Sequence, residues 1–583
     1  MAMALNTTVH MTFPSFFSAI ENHVNKTAWS SSSVNVYSTI AALIGFTLVG
    51  YFLSQDRSKH RVPGPSGLPI FGSIFELRNG HAKMLEKWKN CYGDIFRIWV
   101  GNQPVLVLNS RAAVSKTLVK QGAAFQSRPE WNIWHGTFVH SADTGGVLTL
   151  GTSKWSDDIS RLRKAVSPVT SPRALSTYNE YPTKRYNRLM ETLSNLGSKP
   201  RDLGYFWWST TIGLGTDQLV GHVHDDETVK LICNTEINIF RLRSLGYPLH
   251  DWIPILNLYR TLVGGFEFCL RRIVDSLGFK FPRLFSSEAE DRASMLRQNQ
   301  AKYCKSQLSG LVERLEQGDE RPSQLGDLFR SLPERLSAYE EYLLMTTLSG
   351  SGMATGTILT WLTGYLASHP EIQAKAHQEI HDVYKGESPD PHDTNRVEYI
   401  KALALEAGRF WTPVRLGFFR ETQQDARIDD YHIPKGTMVV YNSFQINRDP
   451  TGYDFPDSFI PERWINGHHG RTDTVGSVGD SIGVPHMGHG AGRRLCLGIS
   501  NVNKSLYGIL VLVLHYFKFE RAELDDEGMR EVFPSFRACG QSSHDMDPVK
   551  DQVFSCDAQA VPRATGVRVI PREPEKLAQW MKV

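Results

Sequence analysis

Residues 485–498 read Pro485-His-Met-Gly-His-Gly-Ala-Gly-Arg-Arg-Leu-Cys-Leu-Gly498. Gly488, Gly490 and Gly492 free the backbone to adopt positive φ and to approach a flat object closely. Arg494 stands two residues before Cys496 and Gly498 two after it, and a helical pattern from Ile499 to Leu514 follows directly. Backbone amides and a helix N-terminus favour thiolate over thiol. An anionic sulfur in such a loop is a strong, electron-rich ligand for iron. Two other readings are a free buried cysteine and a glycine-rich phosphate loop. The second needs a preceding strand and a dinucleotide-binding unit, and Pro485-His486 supplies neither.

The loop resembles the haem-binding signature of the cytochromes P450, Phe-Gly-x-Gly-x-Arg-x-Cys-x-Gly, at Gly490, Gly492, Arg494, Cys496 and Gly498. Three further segments carry the same likeness. Glu406-Ala-Gly-Arg409 sets opposite charges at i and i+3 of a helix, 90 residues before Cys496, where the family has its Glu-x-x-Arg motif. Pro461-Glu-Arg463-Trp464 resembles the Pro-Glu-Arg-Phe element whose arginine completes that ion network. Pro63-Gly-Pro-Ser-Gly67 resembles the family's membrane hinge, and its prolines forbid helix continuation.

The resemblance runs from about residue 62 to the C-terminus and implies a fold mainly α with small β-sheets. It implies haem b, with Cys496 as axial ligand to iron and Arg494 and His489 beside it. A structural ion network of Glu406, Arg409 and Arg463 is implied as well. Trp155 and Arg161 sit where the family places Trp and Arg against the haem propionates, although their spacing is six rather than four. Arg420 resembles another propionate-binding arginine, each such contact being a charge-assisted hydrogen bond. Electrons are expected from NADPH only through an NADPH–cytochrome reductase partner.

Two positions depart from the family. His489 stands where the haem-loop phenylalanine belongs; it fills similar space and carries a donor for sulfur. Counting back from His369-Pro370, the family's Ala/Gly-Gly-x-Asp/Glu-Thr motif falls on Gly350-Ser-Gly-Met-Ala354. Met353 and Ala354 thus replace an acid–alcohol pair that normally relays protons during oxygen activation, a general-acid role. Thr355 is rotated about 100° from the alcohol position, and Ser351 is a candidate relay through ordered water. The substrate's own hydroxyl groups are a further candidate source of the relay.

The chain has 583 residues, 41% hydrophobic and 21% charged, the profile of an ordinary globular enzyme. Its 64 basic and 61 acidic residues leave a net charge of +3, which points to no nucleic-acid partner. Seven scattered cysteines without a Cys-x-x-Cys pair argue against a disulfide framework and a four-cysteine zinc site.

Val34 to Leu53 is a largely apolar run of 20 residues without charge, about 30 Å as a helix and matched to a bilayer core. Arg57, Lys59 and Arg61 follow, which places that side in the cytoplasm. Asn6-Thr-Thr8 and Asn25-Lys-Thr27 are glycosylation sequons suited to a lumenal end. The expected organisation is a lumenal tail (1–33), one N-terminal transmembrane helix (34–53), a basic, proline-rich hinge (54–72) and a haem domain (73–583) on the cytoplasmic face of the endoplasmic reticulum membrane.

Ile95 to Leu108 alternates and breaks at Gly101-Asn102, the pattern of a β-hairpin. From about 155 to 420 the pattern is mostly helical. Ser337-x-x-Glu340 is a capping box and His369-Pro370 a stop, which predicts one helix of roughly 30 residues, about 45 Å long, crossing the core. The polar stretches His468–Asp480 and Gln541–Asp551 read as surface insertions.

Within the family, Ser127-Arg-Pro129, Gly151-Thr-Ser-x-Trp155 and Arg409-Phe-Trp411-Thr resemble the fungal phenylacetate hydroxylase branch. That likeness implies a small aromatic or polyketide-type substrate and a role in fungal secondary metabolism. Trp131 and Trp134 belong to a loop expected over the distal pocket, although two tryptophans three apart also read as core. Arg415 lies in the segment that normally lines the pocket; it is a candidate for a substrate carboxylate or phenolate, or equally for pairing with haem or a surface acid. Monooxygenation leads. Oxidative phenol coupling without oxygen insertion and a catalytically silent haem protein are the alternatives.

Overall fold

The alternating run at Ile95–Leu108 folds as a hairpin: strands Ile95–Val100 and Gln103–Leu108 pair antiparallel, with Ile95 opposite Leu108. Gly101 turns the chain at φ 59°, and a Cβ there would overlap the Trp252 carbonyl, so the turn requires glycine. Gln103–Leu108 continues parallel to Met438–Tyr441, whose other edge takes the two-residue strand Arg420–Glu421 antiparallel. A three-stranded sheet (Arg201–Asp202, Gly566–Pro571, Phe517–Arg521) and one small hairpin (Ala426–Ile428 with Tyr431–Ile433) complete the β-structure of the described residues.

The rest is mainly helical. This computed structural model describes residues 62–78, 80–101, 103–131, 149–197, 199–241, 252–253, 288–465, 486–534, 536–554 and 558–580, together with residue 45. The expected lumenal tail and, but for residue 45, the expected anchor lie outside the described residues, as do Trp134 and the His468–Asp480 stretch. Among the described residues no helix is long and apolar enough to cross a membrane.

The capping box forms as expected: the Ser337 side chain accepts the Glu340 N–H and the Glu340 carboxylate accepts the Ser337 N–H. The helix it starts is not continuous, however. Ala338–Ser349 gives way to one 3-10 turn, Gly350–Gly352, before Met353–Ser368 resumes. The interruption has a tertiary cause. Thr211 Oγ1 donates to the Gly352 carbonyl at 2.9 Å, and a Cβ at Gly352 would overlap the Thr211 backbone. The helix Gly204–Val220 is therefore in backbone contact with the turn.

Met353–Ser368 packs in a core with the helices Gly204–Val220, Glu398–Trp411 and Ile499–Tyr516. Trp361 and Trp411 stack at 6.1 Å inside it, where large buried aromatics contribute the most apolar area.

Gln541–Asp551 is not a surface insertion. Ser542, His544, Met546 and Asp551 are buried, and the Asp551 carboxylate accepts from the Ser543 and Asp547 N–H groups and the Ser543 hydroxyl. Asp551 thus satisfies polar groups of its own segment, which lets part of a hydrophilic stretch pack inside while Ser543, Asp545, Val549 and Lys550 stay exposed.

Candidate active site

Two short 3-10 turns, Met487–His489 and Gly492–Arg494, build the cysteine loop, joined through Gly490 at φ 77° and Gly492 at φ 64°. A Cβ at Gly492 would overlap the Leu118 carbonyl, so glycine lets the loop lie against the neighbouring backbone. Cys496 donates its backbone N–H to the His489 carbonyl at 3.0 Å. Its Sγ accepts the Gly498 N–H at 3.4 Å, and Gly498 caps the helix Ile499–Tyr516. The sulfur opens onto accessible space but is enclosed on other sides by protein. Burial raises its pKa, opposed by the Gly498 N–H and the Arg163 guanidinium. The His489 ring lies 5.0 Å from that of His486, and burial lowers its pKa to about 4.

Behind the loop, a buried ion network holds the chain together. Arg409 makes a bidentate pair with Glu406, Nε to Oε2 at 2.8 Å and Nη2 to Oε1 at 2.7 Å. Arg463 Nε donates to Glu406 Oε1 at 3.1 Å. The Trp464 indole and the Ile460 N–H also donate to this carboxylate. The remaining N–H groups of Arg409 reach the carbonyls of Asn447, Pro456 and Ser458. All three ionic side chains are essentially inaccessible, a geometry in which pairing and full hydrogen bonding offset desolvation.

A second basic cluster has no counter-charge. Arg494 donates to the carbonyls of Gln126, Leu150, Gly151 and Ser153 and lies over the Trp155 ring at 5.5 Å. Arg420 Nη2 reaches the Ala491 carbonyl at 3.2 Å. Arg163 Nη2 reaches the Leu495 carbonyl at 2.7 Å, next to Cys496. Arg420 and Arg494 are both buried. Burial, then repulsion from Arg163, lowers the pKa of Arg420 to about 10, the nearby Tyr441 opposing; burial, Arg420 and Arg163 lower that of Arg494. Arg420 Nε and Nη1 and Arg494 Nε meet no acceptor. Among the described residues none of the three pairs with a carboxylate. Buried cations without counter-ions are costly. A dianion in front of them would satisfy both charge and donors, and the two propionates of haem fit, with Cys496 adjacent as the iron ligand.

On the other side stands the interrupted helix. From Glu341 to Gly364 only Thr347, Gly350 and Ala354 keep partial exposure among residues whose side chains are described. They form one stripe at helical spacing, while Gly352 and Gly356 abut the helix Gly204–Val220. At Ala354 the open stripe carries neither acid nor hydroxyl, and its Thr347 hydroxyl donates to the Leu343 carbonyl; Met353 and Thr355 are buried. Of Ser351 only its place in the turn is described.

Farther along, Trp131, Phe240, Val414, Leu416, Phe419 and Ala558 line an apolar cleft. Trp131 packs against Phe419 at 5.2 Å and Trp252 at 5.6 Å. The segment Val414–Arg420 thus reaches from an aromatic cleft to the cationic cluster.

A family model described as Cytochrome P450 matches residues 62–208 and 284–537, well over half the sequence. The chain belongs to the cytochrome P450 family. Family membership implies a haem with cysteine-thiolate ligation to iron, and the enzymes concerned are oxidoreductases. This P450 is 27% identical to a 3-hydroxyphenylacetate 6-hydroxylase of Emericella nidulans, over 90% of this chain and 92% of the relative. It is 26% identical to a phenylacetate 2-hydroxylase of the same organism, over 94% and 98%. It is 25% identical to the cytochrome P450 monooxygenase fogE of Aspergillus ruber, over 95% of each chain.

The P450 site brings together Cys496, His489, Arg494, Arg420 and Trp155, and separately Glu406, Arg409 and Arg463. Arg161 is elsewhere. Its half-exposed guanidinium pairs with Glu340, while Arg163 takes the place beside the cysteine loop. Two residues on a helix turn the side chain about 200°, so Arg161 and Arg163 of the helix Asp157–Val169 face opposite ways. The signal for Arg163 lay in that register, since Ile159, Leu162 and Val166 mark the buried face.

Arg415 does not face the cleft as a free cation. It is bound to the Gln552 side chain and the Pro548 carbonyl and packs on Phe444 at 4.5 Å. Sequence reasoning missed Arg128, read only as part of a branch marker. Its guanidinium joins the carbonyls of Gly151, Phe418 and Phe419, locking the loop beneath Arg494 to the segment bearing Arg420.

Proposed function

We propose that this chain is a haem-thiolate monooxygenase that oxidises a small aromatic or polyketide-type substrate. Dioxygen and NADPH-derived electrons are its co-substrates, the electrons arriving through a membrane reductase. The observation that carries the reading is the segment Val414–Arg420, which has aromatic side chains of the cleft at one end and the unpaired arginine cluster at the other. When bound, haem supplies the redox centre for oxygen activation.

The protein's own part is to hold that group and to present the substrate. Arg163, Arg420 and Arg494 would hold the propionates and Cys496 the iron. Trp131, Phe240 and Phe419 offer faces and edges for an aromatic ring. The phenylacetate and hydroxyphenylacetate hydroxylases among the relatives support the substrate class. The apolar run Val34–Leu53 supports a single-pass anchor in the endoplasmic reticulum membrane, and the fungal relatives support a role in fungal secondary metabolism.

Oxidative phenol coupling is the second reading. Ala354, the open position on the helix without an acid or hydroxyl, favours it, since coupling needs no oxygen insertion.

Mass spectrometry of products from cells co-expressing the chain with a reductase and fed phenylacetates and phenolic polyketides decides. Gain of one oxygen, lost in Cys496→Ser, is expected. Dimers or loss of two hydrogens alone would establish coupling, and no turnover would leave only haem binding.

A further inference from the structure

The helix stripe Thr347–Gly350–Ala354 carries no acid, and its one hydroxyl, that of Thr347, donates to the Leu343 carbonyl; another helix presents an acid to it. A Cβ at Gly350 would lie 2.8 Å from Glu236 Oε2. Glu236 belongs to the helix Asp226–Arg241 and is 4% exposed. Its Oε1 accepts from Gln300 Nε2 at 3.2 Å and from the Tyr303 hydroxyl. Its Oε2 takes no hydrogen bond from any described residue.

The surroundings favour the protonated form of this carboxyl. From the helix Glu288–Glu316 it meets Gln300, Tyr303 and Cys304, and from its own helix Cys233. Arg297 of the same neighbouring helix packs over Tyr342 at 5.0 Å and donates to Gln300 Oε1. Burial raises the Glu236 pKa, the Tyr303 and Gln300 hydrogen bonds opposing that rise. Burial without a paired cation shifts an acid towards its protonated form.

Phe240 follows Glu236 by four residues, on the same helix face, and lines the aromatic cleft. Glu236 Oε2 therefore approaches the stripe at Gly350, one helical turn before Ala354, and its helix carries a lining residue of the cleft one turn farther on.

We propose that Glu236 is the proton-donating acid of this site, delivering the Oε2 proton past Gly350 to the space in front of Ala354. The inference rests on the monooxygenase reading. The overall change is R–H + O2 + 2 H+ + 2 e− → R–OH + H2O, with both electrons from NADPH through the reductase. Glu236 contributes one of the two protons. It becomes a carboxylate held by Tyr303 and Gln300, and it is reprotonated from solvent.

The test uses the full-length, haem-loaded protein. Infrared spectroscopy at neutral pH, without turnover, is expected to show a protonated-carboxyl C=O stretch that Glu236→Gln removes. With reductase, the share of electrons reaching product rather than hydrogen peroxide is expected to fall on the order of 10²-fold in Glu236→Gln, at unchanged haem content. Tyr303→Phe keeps the acid and removes its Oε1 donor. It is expected to shift the band, and it serves if Glu236→Gln fails to fold, since a band that Tyr303→Phe leaves unmoved does not belong to Glu236 and overturns the proposal. A spectrum with no band assignable to Glu236 overturns the proposal. A wild type that oxygenates no better than Glu236→Gln overturns the relay alone, whereas a wild type yielding only dimers overturns the monooxygenase reading and the relay with it.

Discussion

Met487 donates its backbone N–H to the Asn447 side-chain carbonyl at 2.8 Å, and Arg409 donates to the Asn447 backbone carbonyl at the same distance. One buried asparagine therefore ties the Glu406–Arg409–Arg463 network to the loop that carries Cys496. Its amide also donates to Thr412 Oγ1 at 3.0 Å. Every polar group of this side chain has a partner, so the loop inherits the rigidity of the network behind it.

Asn447→Ala leaves the buried Met487 N–H without an acceptor, a loss of about 1–3 kcal/mol. Denaturant unfolding followed by haem absorbance should show that loss and a lower haem content per chain. Asn447→Asp keeps the acceptor and should retain more haem than the alanine variant.

Glu406→Gln removes the carboxylate that serves Arg409 and Arg463 together. Two inaccessible guanidinium groups then lack their counter-charge, a loss of about 3–5 kcal/mol. The expected outcome is little or no soluble haem-loaded protein. A variant purified with full haem content and an unchanged unfolding midpoint would show that the network is dispensable.

Arg163→Leu and Arg161→Leu should separate cleanly. Arg163 lies with Arg420 and Arg494 beside the cysteine, and a charge-assisted contact of about 1.5–3 kcal/mol corresponds to roughly 10- to 100-fold faster haem loss. Arg161 makes only surface pairs, with Glu340 and Asp158, each typically worth under about 1 kcal/mol. Transfer of haem to an excess of apomyoglobin measures both rates, and equal rates would refute the assignment.

Asp202 gives a pH signature. Burial raises its pKa to about 6 from the usual 3.8, with the Thr565 and Gly204 N–H groups opposing. The folded state thus binds its proton more tightly than the unfolded chain does. Stability from this group is fully present below about pH 4 and is lost as pH rises through 6. Partial exposure of the side chain reduces the effect to about 2 kcal/mol. Urea midpoints compared between pH 5 and pH 7.5 should show a smaller fall for Asp202→Asn than for wild type.

Much of this was legible in the residues because it is local. The Ile95–Leu108 hairpin follows from alternation and one glycine turn, and the capping box from two side chains three apart. The cysteine loop needs glycines at fixed places, and its residues identify themselves by type. The place of Arg161, the partners of Arg415 and the break in the helix were not legible for a common reason. Which arginine meets the site depends on helix phase against a neighbour, and whether Arg415 is free depends on Gln552 and Pro548, more than 130 positions away.

The amino-acid order by itself determined the family, the mainly helical fold, the thiolate loop and the identity of the buried ion triad, because each rests on short-range spacing and backbone permissiveness. Tertiary structure alone decided the break at Gly350–Gly352, the place of Arg163 beside the cysteine loop and the approach of Glu236 to Gly350. Each of these depends on two helices coming within contact distance, and a single helix's sequence records its own faces but not the partner that meets them.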